Sequence, residues 1–309
     1  MSQPSTSALF ERSITLPDSD ARDRLARLVG MEDKIKRLTN ILSVLINPLG
    51  LQRSQTDHHP DALRLIDSVL RRPPLVVLSG DVGSGKTELA ETIGDRVARQ
   101  ESIDITLLPM SLSSRGQGRV GEMTQLVTAA FEHAYAEASK LKSATGAARG
   151  GVVLLVDEAD ALAQSRETEQ MHHEDRAGVN AFIRGIDRMA SGRLPAAVIM
   201  CTNRLSALDP AVRRRAADVL TFSRPTDDQR RDVLDRWLGD VGLSKADIDA
   251  LVAATGPHEG RAYGFTFSDL AQRLLPTIIL DAYPAGPIKA AEAIALARSI
   301  EPTPPFKNA

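Results

Sequence analysis

The sequence lacks the features that mark secreted, membrane-spanning or generally nucleic-acid-binding proteins. Its single cysteine, Cys201, excludes an internal disulfide and favours a reducing compartment. No stretch approaches the roughly 18 apolar residues that span a bilayer, and the N-terminal MSQPSTSALFERS has no apolar run like that of a signal peptide. The net charge of −2 gives no general attraction to nucleic acid. We therefore expect a cytoplasmic protein with no membrane partner, and nucleic acid is not favoured as a partner.

Short apolar runs alternate with helical stretches, and this predicts an α/β fold with a parallel sheet. Runs such as LVVLS and VVLLV have no polar face, which is typical of strands buried on both sides. Five strands are predicted, at residues 75–79, 103–108, 152–156, 196–201 and 219–222. After residue 225 only helical stretches follow, and TDDQ at 226–229 has the spacing of a capping box. The sequence thus predicts an N-terminal tail at 1–27, an α/β domain at 28–224 and a helical domain at 225–309 with a frayed C-terminal tail.

The segment GDVGSGKT at 80–87 predicts a phosphate-binding loop. It fits the pattern G-x-x-x-x-G-K-[ST] and lies between a predicted strand and a predicted helix, the context that gives this pattern its meaning. Glycines let backbone N–H groups surround phosphate oxygens, and the helix N-terminus adds positive potential. We expect Lys86 to reach the β- and γ-phosphates of ATP and the Thr87 hydroxyl to bind Mg²⁺. The alternative is an ordinary glycine-rich turn without a ligand.

The segment VVLLVDEAD places two carboxylates at the carboxyl end of another predicted strand. Asp157 is expected to hold Mg²⁺, directly or through water, and Glu158 to polarise an attacking water as general base. The alternative is an acidic pair that caps a helix. The letters DEAD at 157–160 also occur in a class of helicases, but those need a second sheet domain, and the chain beyond 224 looks helical.

Two further segments carry polar groups after predicted strands. Asn203, in CTN, can hold the attacking water or sense the γ-phosphate. In LDPAVRRR, Arg213, Arg214 and Arg215 stand side by side, and like charges need an anion if they are to be buried. No local anion explains the triplet, so the sequence leaves three possibilities: an anion on another subunit, a solvated helix end or a nucleic-acid patch.

The order GDVGSGKT, LLVDEAD, CTN and ALDPAVRRR, followed by a helical region, resembles the AAA+ ATPases over most of the chain. The resemblance implies an AAA+ P-loop three-layer sandwich with a parallel five-stranded sheet, followed by a small all-helical lid domain. It implies ATP and Mg²⁺ as cofactors. It also implies that Asn203 is the sensor-1 asparagine, which contacts the γ-phosphate or the attacking water. It also implies that Arg214 and Arg215 act as arginine fingers on the nucleotide of the neighbouring subunit, in a ring that is usually a hexamer.

The same resemblance gives a set of nucleotide-contacting residues. The segment that begins at Leu28 corresponds to the one that packs on adenine, and Arg273 is the candidate for the second sensor, with an ordinary surface arginine as the alternative. The expected contacts are Val29, Gly30, Asp81, Val82, Gly83, Ser84, Gly85, Lys86, Thr87, Glu88 and Arg273.

The run EDRAGVNAFIRGIDRM at 174–189 is similar to the pachytene-checkpoint-type ATPases, in particular to their compact bacterial relatives. That similarity implies a protein that partly unfolds a HORMA-domain partner in a bacterial anti-phage second-messenger system. Arg119 and Val120 occupy the pore-loop position where such rings usually carry an aromatic residue, and a solvated loop is the alternative. The polar segment 164–178 is a second candidate loop. The alternative function is a nucleic-acid-associated AAA+ ATPase, such as a helicase loader or a transposition helper.

Overall fold

A computed structural model describes residues 9–61, 63–112, 122–143, 147–162 and 173–306. The chain divides into two compact units, each with its own hydrophobic core. The first comprises the chain up to Arg27, Asp33–Ser79 and Thr87–Thr221. The second comprises Leu28–Glu32, Gly80–Lys86 and the chain from Phe222 onward. The helical unit therefore includes the phosphate loop and the segment around Val29, which the sequence assigned to the α/β domain.

All six strands that the structure describes belong to one mixed sheet. The strands are β1 (Ile14–Leu16), β2 (Leu75–Gly80), β3 (Ile105–Ser111), β4 (Gly151–Asp157), β5 (Ala196–Thr202) and β6 (Ala216–Phe222). Their order is β1-β3-β4-β5-β2-β6, with β3, β4, β5 and β2 in parallel and β1 antiparallel to β3. The predicted α/β class is confirmed. The sheet has six strands rather than five, because the short edge strand β1 carries too few apolar residues to give a strand signal.

The helices of the first unit pack on this sheet through small and aromatic side chains. They are α1 (Ser19–Ala26), α2 (Glu32–Ile46), α3 (Leu49–His58), α4 (Leu63–Leu70), α5 (Lys86–Glu101), α6 (Glu122–Leu141), α7 (His173–Gly192) and α8 (Pro210–Arg213). Phe131 of α6 meets Phe182 of α7 edge to face, with ring centroids 5.3 Å apart. Both rings belong to the core that contains the buried side chains of β2, β4 and β5.

The segment before residue 28 is folded where the structure describes it, so the loose N-terminal tail expected at 1–27 is wrong for residues 9–27. Leu9 and Phe10 are buried in the core of the first unit. Asp18 caps α1 by accepting a hydrogen bond from the Ala21 backbone N–H at 3.0 Å. The core that buries Leu9 and Phe10 is formed by residues far along the chain, and the polar composition of the segment gives no sign of this burial.

The second unit is helical after residue 225, as the sequence predicts. Its helices are α9 (Asp227–Leu238), α10 (Lys245–Thr255), α11 (Leu275–Ala282) and α12 (Ala290–Ser299), and a π-helix, Asp269–Leu274, directly precedes α11. The capping box predicted at the start of α9 is confirmed, since Thr226 and Gln229 exchange side-chain to backbone hydrogen bonds. Leu234, Leu251 and Phe265 are completely buried in the core of this unit.

The C-terminal segment 301–306 is bound to the second unit, whereas the sequence predicts a frayed tail. Thr303 donates from its backbone N–H and its hydroxyl to the Asp269 carboxylate, at 3.0 and 2.7 Å. The carbonyl of Glu301 accepts a hydrogen bond from Arg273 at 2.8 Å. The sequence of this segment predicts a frayed end, because the partners of its residues lie about thirty residues away in the chain.

Within the ranges given above, no helix is both long and apolar enough to cross a membrane.

Candidate active site

The phosphate loop of the second unit has a backbone that only glycine can adopt at its first position. Gly80 ends β2 with φ of 149°, and a Cβ there would collide with the backbone carbonyl of Phe222. The Asp81 N–H donates to that same carbonyl at 3.3 Å. The start of the loop is therefore anchored on the backbone of Phe222.

The loop surrounds the ammonium group of Lys86. The lysine is the first residue of α5, only 6% exposed, and its Nζ donates to the carbonyls of Gly80 and Asp81 at 3.0 and 2.7 Å. The Ser84 hydroxyl donates to the Asp81 carbonyl at 2.6 Å and closes the turn. A cation at the N-terminus of a 16-residue helix, beside a glycine-rich turn, fits the phosphate groups of a nucleotide.

The segment that directly precedes the π-helix contacts this loop at a glycine, a feature that the sequence motif does not reveal. The Gly83 carbonyl accepts a hydrogen bond from the Ser268 N–H at 3.1 Å. Gly83 has φ of 70°, and a Cβ there would lie 2.7 Å from the Thr266 hydroxyl oxygen. The sequence pattern names Gly83 as a loop residue, but only the fold identifies Thr266 and Ser268 as its neighbours.

The segment expected to pack on adenine is held by the first lid helix. Val29 is buried in the core of the second unit, and the Gly30 carbonyl accepts a hydrogen bond from Gln229 at 2.9 Å. Gln229 also completes the capping box of α9. One side chain therefore links the start of α9 to the segment at Gly30. Contact with adenine itself stays a prediction.

The acidic end of β4, in the first unit, has an unusual backbone. Asp157 ends the strand and accepts a hydrogen bond from the Glu158 N–H at 2.8 Å. Glu158 has φ of 51°, the left-handed region that costs a non-glycine residue about 1–3 kcal/mol. Its side chain is exposed. Strain of this kind is often found at functional sites.

Asp160 connects the acidic segment to the end of β5, and sequence reasoning did not assign it a role. Its carboxylate accepts hydrogen bonds from the Thr202 hydroxyl at 2.7 Å, the Asn203 N–H at 3.1 Å and the Arg204 N–H at 3.1 Å. It also accepts one from the Asn203 side-chain amide at 3.2 Å. The amide nitrogen of Asn203 thus faces the carboxylate, because only the nitrogen can donate. Asp160 fixes the orientation of the predicted sensor.

The fold gives the three arginines of residues 213–215 different surroundings. Arg215 forms a two-point ion pair with Asp187 of α7, at 2.7 and 2.8 Å, and this hydrogen bonding raises its pKa above the usual arginine value. The local anion that the sequence did not reveal is therefore present for Arg215. Arg213 and Arg214 are exposed, and neither forms an ion pair with any residue that the structure describes. Of the two predicted fingers, Arg214 is the one with an available guanidinium group.

Two other expected nucleotide contacts have partners of their own. Glu88 binds the Arg24 guanidinium at 2.7 and 2.8 Å, and this contact raises the pKa of Arg24. Arg273 binds Asp269 and the carbonyl of Glu301. These contacts explain both side chains structurally, and their roles toward a nucleotide stay predictions. Arg119, Val120 and most of the candidate loop at 164–178 lie outside the described residues.

The chemistry of the site follows from the order of its strands. β5 lies between β2 and β4, so Ser79, Thr202 and Asp157 lie near the carboxyl ends of neighbouring parallel strands, at one edge of the sheet. In the described ranges, no three His, Cys, Asp or Glu side chains are grouped to hold a metal ion. A magnesium ion at Thr87 and Asp157 would therefore take its remaining ligands from phosphate oxygens and water, which is usual for Mg²⁺.

Comparisons with known proteins agree with this geometry. Residues 76–224 match the model of the ATPase family associated with various cellular activities (AAA). The chain is 62% identical over 304 residues to CD-NTase-associated protein 6 of Escherichia coli (strain MS 115-1), covering 98% of each protein.

Two solved structures resemble the whole chain. One is the HORMA:CdnC:Trip13 complex of E. coli MS115-1, in which a chain matches with a TM-score of 0.92, 60% identity, and coverage of 99% of this chain and 100% of that chain. The other is Rhizobiales Trip13, with a TM-score of 0.76, 56% identity, and coverage of 96% and 100% respectively. The chain belongs to the AAA ATPase family, among the bacterial proteins similar to Trip13.

Proposed function

We propose that the chain forms a ring that hydrolyses ATP and thereby partly unfolds a HORMA-domain protein. The observation that carries the proposal is the match, over almost the full length, to CD-NTase-associated protein 6. The phosphate loop, the acidic strand end and the exposed Arg214 supply the residues that such an activity needs. We further propose that the protein works in the cytoplasm, in a bacterial anti-phage second-messenger system.

Each subunit contributes binding and catalytic groups to its own nucleotide. Lys86 would neutralise phosphate charge, and Thr87 and Asp157 would hold a magnesium ion, which would supply charge stabilisation at the phosphates. Glu158, whose side chain is exposed, accepts a proton from the attacking water. Asn203, held by Asp160, orients the water or contacts the γ-phosphate.

The neighbouring subunit contributes Arg214 to the site. A guanidinium that reaches the transferring phosphoryl group can raise the rate about 10³–10⁵-fold. In this proposal six subunits form the ring, and lid closure couples hydrolysis to movement of the loops around Arg119 and Val120 and at 164–178. A HORMA-domain partner is supported by the E. coli relative, whose solved structure contains HORMA and CdnC together with Trip13.

The variant Glu158→Gln tests the proposal. It keeps the size of the side chain and removes its basicity, so we expect nucleotide binding to persist while hydrolysis falls by about 10²-fold or more. The arrested ring should retain a HORMA-domain protein from the same genome in a pull-down with ATP. Glu259→Gln, which changes an exposed glutamate of the second unit, is the matched control and should hydrolyse ATP like the wild type.

Three outcomes would contradict the proposal in different ways. Wild-type turnover in Glu158→Gln would exclude this residue as the base. Retention of nucleotide without capture of a HORMA-domain protein would separate hydrolysis from the proposed partner. Stimulation of the wild-type ATPase by duplex DNA, but not by the HORMA-domain protein, would favour the nucleic-acid-associated alternative.

A further inference from the structure

We infer that Arg224 and the C-terminal segment 301–306 hold the phosphate loop in its binding conformation. Arg224 is then a positioning residue for the nucleotide, although it lies outside the loop motif. The inference rests on the proposed binding of ATP at this loop. All the contacts that carry it lie within the second unit.

Asp81 is the loop residue on which these contacts converge. Its Oδ2 accepts a hydrogen bond from Arg224 Nε at 2.6 Å, and its Oδ1 accepts from the backbone N–H groups of Val82 and Phe306, at 2.9 and 3.4 Å. The backbone carbonyl of the same residue accepts from Lys86 Nζ at 2.7 Å. Asp81 therefore joins the lysine inside the loop to the arginine outside it.

Arg224 uses a different nitrogen for each of three partners. Besides the Asp81 carboxylate, it donates to the carbonyl of Gly264 and to the carbonyl of Thr303, both at 2.7 Å. Its guanidinium carbon lies 4.9 Å from the centroid of the Tyr263 ring, and the side chain is only 14% exposed. A planar fork with three fixed directions suits this arrangement, and a lysine ammonium cannot reproduce it.

The carbonyl of Thr303 is held in place by the buried carboxylate of Asp269. The Thr303 N–H and hydroxyl both donate to that carboxylate, whose side chain is only 1% exposed. Pro302, beside it, is buried as well. The tail thus offers Arg224 a rigid acceptor, and Arg224 in turn offers Asp81 a rigid donor.

This chain of contacts ends at the group that binds phosphate. If Arg224 is removed, Asp81 loses its charged partner, and the carbonyl that holds Lys86 is free to turn. Removal of Arg224 would thus displace the loop that binds phosphate, and we expect the main effect to be a lower affinity for nucleotide. Glu158, Asn203 and Arg214, which serve the chemical step in the proposed function, belong to the first unit, so the rate of that step should change less.

The test measures the dissociation constant of a fluorescent ADP analogue with Mg²⁺ on the full chain. Arg224→Ala and Arg224→Lys should both weaken binding by about tenfold, the usual effect of losing a charge-assisted hydrogen bond. KM for ATP should rise by a similar factor, while kcat stays within about threefold of the wild type. The matched control is Arg231→Ala, which removes a more exposed arginine from ion pairs with Asp228 and Asp249 of the same unit.

A double-mutant cycle separates positioning from general stabilisation. Asp81→Ala and the double variant with Arg224→Ala should lose the same affinity, because each removes the same contact. Losses that add, or wild-type affinity in both Arg224 variants, would overturn the inference. If Arg224→Ala does not fold, Arg224→Lys keeps the charge and decides the question. A wild-type chain that binds no nucleotide would instead contradict the proposed function.

Discussion

At the residue scale, the three arginines at the end of α8 and directly after it have different surroundings, although they are adjacent and carry the same charge. Asp209 caps this four-residue helix by accepting from the Ala211 N–H at 2.7 Å, and the turn that follows directs Arg215 toward Asp187. Arg214, one residue earlier, remains exposed. The ion pair gives Arg215 a local partner, so Arg214 is the stronger candidate finger, and a finger role for either residue stays a prediction.

Substitution of these arginines should separate catalysis from stability. We expect Arg214→Ala to lower ATP turnover by about 10²-fold or more with little change in the thermal midpoint. Arg215→Ala should lower the free energy of unfolding by at most about 1 kcal/mol, because Asp187 is 52% exposed and solvent screens the pair. Turnover assays and thermal unfolding of both variants check this, with Arg213→Ala as the exposed neighbouring control. Equal turnover in Arg214→Ala and Arg213→Ala would contradict the assignment.

At the element scale, the π-helix and the C-terminal segment are joined through one carboxylate. Asp269 accepts hydrogen bonds from the Thr266 N–H, from Thr303 and from Arg273. Burial alone raises the pKa of Asp269, but these hydrogen bonds outweigh burial, and the pKa lies below its usual range. The ionised carboxylate thus ties the start of the π-helix to the tail.

Acid should loosen this connection. Because the folded-state pKa of Asp269 lies below the unfolded-state value of about 3.9, the carboxylate stabilises the fold above that pH and loses its effect as the pH falls through the folded pKa. Asp269→Asn should therefore cost about 1–3 kcal/mol near neutral pH, and the difference from the wild type should shrink in acid. Thermal unfolding between neutral and acid pH measures this, with the exposed Asp249→Asn as control. A constant difference at all pH values would contradict it.

The elements that the sequence predicts are those with a local signal. β2, β4 and β5 are continuous apolar runs, and the phosphate loop is a fixed pattern, so each can be identified from a few neighbouring residues. Asp160 and Asp187 could not be assigned, because their partners Asn203 and Arg215 lie 43 and 28 residues away. The prediction of a frayed tail at 301–306 was wrong for the same reason, because Thr303 binds the carboxylate of Asp269, which lies 34 residues earlier in the chain.

At the scale of the whole molecule, the chain carries a nucleotide-binding loop in its helical unit and an acidic strand end in its sheet unit. Arg214 is exposed on the sheet unit and has no anion among the described residues with which it forms an ion pair. We propose that this exposed cation acts on a nucleotide bound to a neighbouring copy, as the resemblance to the AAA ATPases implies. An active site that is shared between subunits is then required.

Mixing two inactive variants tests this requirement most directly. Lys86→Ala subunits cannot hold nucleotide phosphate but keep Arg214, whereas Arg214→Ala subunits bind nucleotide and lack the finger. Each variant alone should hydrolyse ATP poorly. We predict that mixed assemblies regain hydrolysis, because the Lys86→Ala subunits supply Arg214 to the loaded sites of their neighbours. No recovery at any mixing ratio, in assemblies shown to contain both variants, would contradict a shared active site.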